Sequence, residues 1–155
     1  MAIHDEEDLL KAIQAHVKAG LNTKITAINA EKDDFTITTI TADDSHYVHA
    51  GELLDLPNHA FVQFAIDGEI EVNHTGGGMM SIPSIMIEVV FDNPKDRNTY
   101  WKAMRYMRAL YEVMHDFENI SVDDLKISKL TPMLVETTRR QLVISGVGVS
   151  CAISS

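Results

Sequence analysis

One stretch, RNTYWKAMRYMRALYEVMHDF at residues 97–117, limits what this chain can become more than any other. It concentrates three of the four tyrosines and the only tryptophan. Rotating by about 100° per residue from Tyr100, Ala103, Met104, Met107, Leu110, Tyr111, Met114 and Phe117 fall on one broad arc. Lys102, Arg105, Arg108, Glu112 and Asp116 fall opposite. That division predicts a helix over about 95–117, and its apolar arc needs a second layer to cover it. Trp101 breaks the division, because it falls among Arg105, Arg108 and Glu112. A tryptophan there either lies under the arginine stems or meets another chain, and Trp, Tyr and Arg are enriched at interface hot spots.

The second layer is legible in runs of β texture. FTITTIT (35–41) is rich in Thr and Ile with alternating side chains. AFVQFAI (60–66) and EIEVNH (69–74) flank Asp67-Gly68, a dipeptide that predicts a hairpin turn. SIMIEVVF (84–91), a short run near LKIS (125–128) and RRQLVISGVGVSCAIS (139–154) read as further strands. Within the last of these, Gly146 and Gly148 predict a bulge or a close backbone approach. At the N-terminus, DEEDLLKAIQAHVKA (5–19) places Leu9, Leu10, Ile13, Val17 and then Leu21 near a helical period. Asp5, Glu6, Glu7 and Asp8 crowd its first turn, where the helix dipole favours carboxylates, and Gly20 predicts a stop. A short second helix, NTKITAINAEK, follows.

No repeat or linker divides the 155 residues, so one α+β domain over 1–155 is expected. It should be an antiparallel or mixed sheet with N-terminal helices and one long helix packed on it. TGGGMMS (75–81) stands apart. Gly76, Gly77 and Gly78 lose much entropy on ordering, which predicts a flexible loop near 75–83. The plain reading is a loose hairpin tip; with Met79 and Met80 behind the glycines as adaptable contacts, the functional reading is an arm that orders against a neighbouring subunit.

Composition narrows the function classes. A formal charge of −10 argues against sequence-independent binding to a duplex, which relies on Lys and Arg neutralising phosphates. No apolar run approaches the roughly 20 residues that span a bilayer. The acidic start MAIHDEEDLL lacks the pattern of a signal peptide, so the chain is expected to be made and folded in a cytoplasm. The single Cys151 excludes an intrachain disulfide and a Cys-rich zinc site, and its apolar surroundings suit a small buried hydrophobe.

DDSHYVH (43–49) holds the types that bind divalent cations, in Asp43, Asp44, His46 and His49, with His59 and His74 further on. An extended segment sends His46 and His49 to opposite faces, however, which predicts a polar loop and no metal. There is no G-x-S-x-G elbow, no phosphate-binding G-x-x-x-x-G-K-[ST] and no HExxH or CxxC. No catalytic residue and no cofactor are expected.

One resemblance uses most of the chain. LLKAIQAHVKAGLNTKITAINAEKDD, then a polar loop, HAFVQFAI and EIEVNH, then SIMIEVVF running into an Asp/Asn-Pro turn and NTYWKAMRYMRALYEVM, then QLVISGVGVSCAI, follow one another in a recognisable order. In order and texture this resembles the tail terminator (tail completion) proteins of long-tailed bacteriophages, over residues 5–154. The resemblance implies a virion protein that forms a hexameric ring on the last ring of tail-tube subunits and offers a docking surface to the neck connector. DNA would pass through its lumen without specific binding, which an acidic wall suits. It implies no catalytic residues, no cofactor and no membrane. The expected contact residues, Trp101, Arg105, Arg108, Gly76, Gly77, Gly78, Met79 and Met80, come from the residue reading alone. Two alternatives stay open: another neck or head–tail connector component, and a small metal-dependent enzyme or ligand-binding domain using Asp43, Asp44, His46 and His49.

Overall fold

A computed structural model describes residues 2–76, 78–118, 123–137 and 141–154. Two helices lie on one face of a mixed sheet, so the fold class is α+β. None of the described helices is long and apolar enough to cross a membrane.

Helix α1 spans Glu6–Glu31 without a break. Asp5 caps it, its carboxylate accepting from the Asp8 N–H at 2.9 Å, and Leu9, Ile13, Val17, Leu21, Ile25 and Ile28 form its buried stripe. The expected stop at Gly20 and the separate second helix are therefore corrected. Gly20 sits where α1 crosses helix α2 (Thr99–His115), and a Cβ there would lie 2.9 Å from Val113 Cγ2. The glycine permits close helix packing, which outweighs its intrinsic helix cost of about 1 kcal/mol.

FTITTIT is extended but joins no sheet, correcting the expected strand. The side chains of α1 take the place of a neighbouring strand. Asn29 accepts from the Ile37 N–H and donates to the Ile37 carbonyl, both at 2.9 Å. Asn22 does the same for Ile40, at 2.9 and 2.6 Å. An amide side chain offers one acceptor and two donors, so it can complete a backbone residue as a strand would. Tyr106 of α2 adds a bond from its hydroxyl to the Thr38 carbonyl, and burial pushes its phenol up to about 12.

The strands are β1 (Tyr47–His49), β2 (Phe61–Ile66), β3 (Glu71–Thr75), β4 (Gly78–Ile82), β5 (Ser84–Asp92), β6 (Asp123–Thr137) and β7 (Gln141–Ser154). Asp67-Gly68 does make a turn, with Gly68 at φ +74°, but β2 and β3 do not pair with each other. Instead β2 pairs β5 and β3 pairs β4, while the Asp67 N–H still donates to the Ser84 carbonyl. The register of β4 on β7 (Ser81 opposite Ile153) continues that of β5 (Ser84 opposite Ser150). Residues 61–75 and 78–92 are thus the two arms of one long ribbon, kinked at Asp67-Gly68 on one side and Pro83 on the other. The inner half of the ribbon is sheet centre. Among the described residues, the outer half is in register with β7 at Met80–Ser154 and Ser81–Ile153.

Gly146 and Gly148 do mark close approaches: a Cβ on Gly146 would fall 2.2 Å from the Ile87 carbonyl oxygen. Cys151 is buried in the core, and burial pushes its thiol up to about 11.

The buried side of α2 is turned from the expected arc. Thr99, Ala103, Arg105, Tyr106, Ala109, Leu110, Val113 and Met114 are buried, whereas Met104 and Met107 are half-buried and Tyr100 is exposed. Small side chains at 103 and 109 bring the helix axis close to its neighbours, and the methionines fill the margin. Leu110→Asp is therefore expected to unfold the domain, since an unpaired carboxylate at a fully buried position costs several kcal/mol (on the order of 5). Met107→Asp should cost less, about 1–2 kcal/mol, because that side chain can turn its charge toward water. Thermal melts of both variants check the order, and an equal or reversed effect would refute this face assignment.

Candidate subunit-contact surfaces

The C-terminal turn of α1, residues Asp34 and Phe35, and the first three turns of α2 enclose a groove of about 730 Å³. Ile28, Phe35, Trp101, Met104 and Met107 supply its apolar lining, Lys32, Arg105 and Arg108 supply cations, and Glu31, Asp34 and Glu112 supply carboxylates. Trp101 remains 53% exposed, with Tyr100 edge-on beside it at 5.1 Å between ring centroids. Arg108 lies along the outer side of α2, pairing with Glu112 at 2.9 Å.

Arg105 has another role. It is 8% exposed, and its guanidinium lies 3.7 Å over the Phe35 ring. Nη1 donates to the Phe35 carbonyl and Nη2 to Asp34 Oδ1, each at 2.6 Å. The Asp34 carboxyl is held below its usual range by that hydrogen bond. The solvated polar face expected at Arg105 is corrected: the side chain clamps the 34–41 segment to α2. Trp101 and Arg108 are left as the outward-facing members of the expected trio.

The glycine stretch forms a hairpin tip. Thr75 and Gly78 are register partners, Gly76 has φ +50°, and Gly77 lies outside the described residues. A positive φ favours glycine, which has no Cβ to clash. Where a flexible loop near 75–83 was expected, 78–82 form strand β4. Met79 pairs with His74 and is 48% exposed, while Met80 is half-buried opposite Asn73 and Ser154. Ile70 and Val72, 36% and 47% exposed, extend the same face of the arm toward its base. The alternation of EIEVNH was visible in the sequence, but a strand with one apolar side reads as half-buried wherever it stands. Here that side faces outward.

Charge divides only in part, because the groove lining carries carboxylates as well as cations. No Lys or Arg lies between Lys32 and Lys95, whereas Asp67, Glu69 and Glu71 stand at the base of the arm. Lys32, which lines the groove, and Lys95 and Arg97 form no ion pair among the described residues. The free edge of β6 is a poorer contact candidate despite exposed Leu130, Leu134 and Val135. Its register shifts three times, once around Pro132, and such irregularity blunts an edge against pairing.

The Asp/His stretch splits into two environments. His46 Nδ1 lies 2.6 Å from Asp43 Oδ1, and its ring stacks on His59 at 3.7 Å. The His46 and Ser45 hydrogen bonds hold the Asp43 carboxyl down to about 2. His49 instead meets Gln14 Oε1 at 3.0 Å and packs near Phe64. Asp44 pairs with Lys18 at 2.8 Å. Among the described residues no group of three or more His, Cys, Asp or Glu is arranged to hold a metal. No family model matches this chain, and no curated protein matches it.

Proposed function

We propose that this chain is a structural subunit of a phage tail, a terminator-like protein that forms a ring on the tip of the tail tube and joins the tail to the neck. One observation carries this reading. The β3–β4 hairpin, with exposed Ile70, Val72 and Met79, joins β7 at that strand's last residues, whereas the half-exposed Trp101 lies at the start of α2, which follows the end of β5 paired with the beginning of β7. Two unlike patches on one subunit make a heterologous contact, which closes into a ring when the rotation between neighbours is a fraction of a full turn. The α+β order that resembles the terminators supports the same reading, with a hexamer as the expected number. The net charge of −10 suits a lumen through which DNA passes without being held.

Light scattering of the purified protein should give a mass several times that of the 17.3 kDa chain, and electron microscopy should show rings with a central hole. Added to polymerising tail tubes, the protein should cap their ends and halt growth. A neck or connector component would form rings without stopping tube growth. A protein that is monomeric at all concentrations and has no effect on tubes would sink the proposal.

A further inference from the structure

We propose that the stacked His46 and His59 rings form an acid-sensitive latch, which holds residues 50–60 over the face of the sheet opposite the helices. Two protons on the pair release the latch and bare Phe61, Val90, Leu142 and Ile144. The device is separate from the ring reading and stands whether or not the chain assembles.

Topology puts the pair at the base of a crossover. β1 and β2 are parallel neighbours, with Tyr47 opposite Val62, so the chain leaving His49 crosses a face of the sheet to reach Phe61. It crosses the face away from the helices. Phe61, Val90, Leu142 and Ile144 alternate with the residues packed on α1 and α2, and they form a second, smaller core with Val48 and Leu53 packed against it. Half-buried Leu53 is the crossover's grip on that patch, whereas Leu54 is 97% exposed and Leu56 46%. A parallel pair is usually joined through a helix. Here the regular structure of the connection is a single 3-10 turn at Ala50–Glu52, so the crossover relies on what fastens its ends.

Charge makes the fastening sensitive to acid. The two rings lie 3.7 Å apart between centroids. His59 Nε2 donates to the Ser45 carbonyl at 3.1 Å and His46 Nδ1 to Asp43 Oδ1 at 2.6 Å, since a carbonyl and a carboxylate only accept. Each neutral ring thereby uses its one N–H, and any further proton goes to the other nitrogen. One such proton suits the site, because the Asp43 carboxylate faces it. A second sets two like charges face to face beside a His46 side chain that is only 19% exposed, where water screens poorly. The bonds from His46 and Ser45 hold the Asp43 carboxyl down to about 2, so its contribution is lost only as pH falls toward that value and is constant between neutral pH and about 5. Asp44 is taken up by Lys18 of α1, and Glu52 and Asp55 of the crossover form no ion pair among the described residues. His49 meets Gln14 of α1, and its Nδ1 is buried without a partner among the described residues.

The test labels single cysteines in the full chain with a dipyridyl disulfide. Leu53→Cys reports the seated grip, Leu54→Cys reports a free thiol at the same pH, and the native Cys151 is buried. The ratio of the two labelling rates should rise at least about fivefold from roughly pH 7.5 to roughly pH 5.5, the range in which imidazoles take up protons. His59→Gln keeps a donor for the Ser45 carbonyl and cannot be charged, so with it the ratio should be the same at both pH values. His46→Gln should behave alike. A ratio that does not change with the native histidines, or that rises equally in either Gln variant, would overturn the proposal; the second result assigns the response to His49, which both variants retain, or to general loosening. Far-UV circular dichroism at both pH values separates opening from unfolding: a rise that accompanies loss of helix and strand signal also refutes the latch.

Discussion

Replacing Asn22 and Asn29 together by Ala is expected to lower the melting temperature by about 10 °C, from a loss of roughly 3–5 kcal/mol. Each amide holds both the N–H and the carbonyl of a buried isoleucine, Ile40 for Asn22 and Ile37 for Asn29. Truncation leaves both N–H groups and the Ile37 carbonyl unpaired, and the Ile40 carbonyl with only a 3.5 Å bond from the Tyr47 hydroxyl, without changing a single residue of the segment itself. A buried polar group left without a partner costs more than the bond it made was worth, because it has also left water. Asn22→Asp, which keeps the acceptor and loses the donor, should fall between wild type and Asn22→Ala. Hydrogen exchange adds the location: the Ile37 and Ile40 amides should lose protection while the β5–β7 ladder keeps its own. An unchanged melting temperature would mean that burial of Ile37 and Ile40, with the bonds from Arg105, Tyr106 and Tyr47, is enough to hold the 35–41 segment. The Trp101 groove should loosen in the double variant, since Asp34 and Phe35 form part of its wall.

Gly146→Ala should be more damaging still. The added methyl would lie 2.2 Å from the Ile87 carbonyl oxygen and 2.9 Å from the Glu88 Cα, both backbone atoms of the central strand β5. No side-chain rotation relieves either contact, so the β5–β7 ladder must separate locally. The expected loss is about 4 kcal/mol or more, in the range that only strain or loss of a whole network reaches. Gly148→Ala is the internal control. Its new methyl would meet Met86 Sδ at 3.3 Å, which can rotate away, and Lys129 Cβ at 3.1 Å, which needs only a small shift of β6, so about 1 kcal/mol is expected. Circular dichroism and chemical denaturation of the two variants decide the matter. Similar stabilities would show that the register of β7 on β5 differs from the one described.

What the sequence determined by itself was the local character of most segments. The carboxylates of residues 5–8 start a helix because a helix start presents unpaired N–H groups and positive potential. The 3.6-residue period of 99–115 and the alternation of 61–66 and 84–92 follow from Cβ directions along a helix and a strand, which need no partner. Gly146 could be read as a close approach for the same reason: an absent side chain inside an apolar strand marks a neighbour too near for one. Trp101 could be read as a residue with no place in its own helix's core.

Tertiary structure decided who pairs with whom. Gly20 looks like a stop, but Val113 on a helix more than ninety residues along the chain needs the space it leaves. FTITTIT has the side chains of a strand, yet Asn22, Asn29 and Tyr106 satisfy its backbone first. Asp67-Gly68 bends the chain as expected, but β5 and β4 lie closer to β2 and β3 than those two lie to each other. Arg105 has the period of a surface residue and is buried because Asp34 and Phe35 come to meet it. Periodicity and turn chemistry act through a residue's own dihedral angles, whereas backbone hydrogen bonds and packing depend on what arrives from elsewhere in the chain.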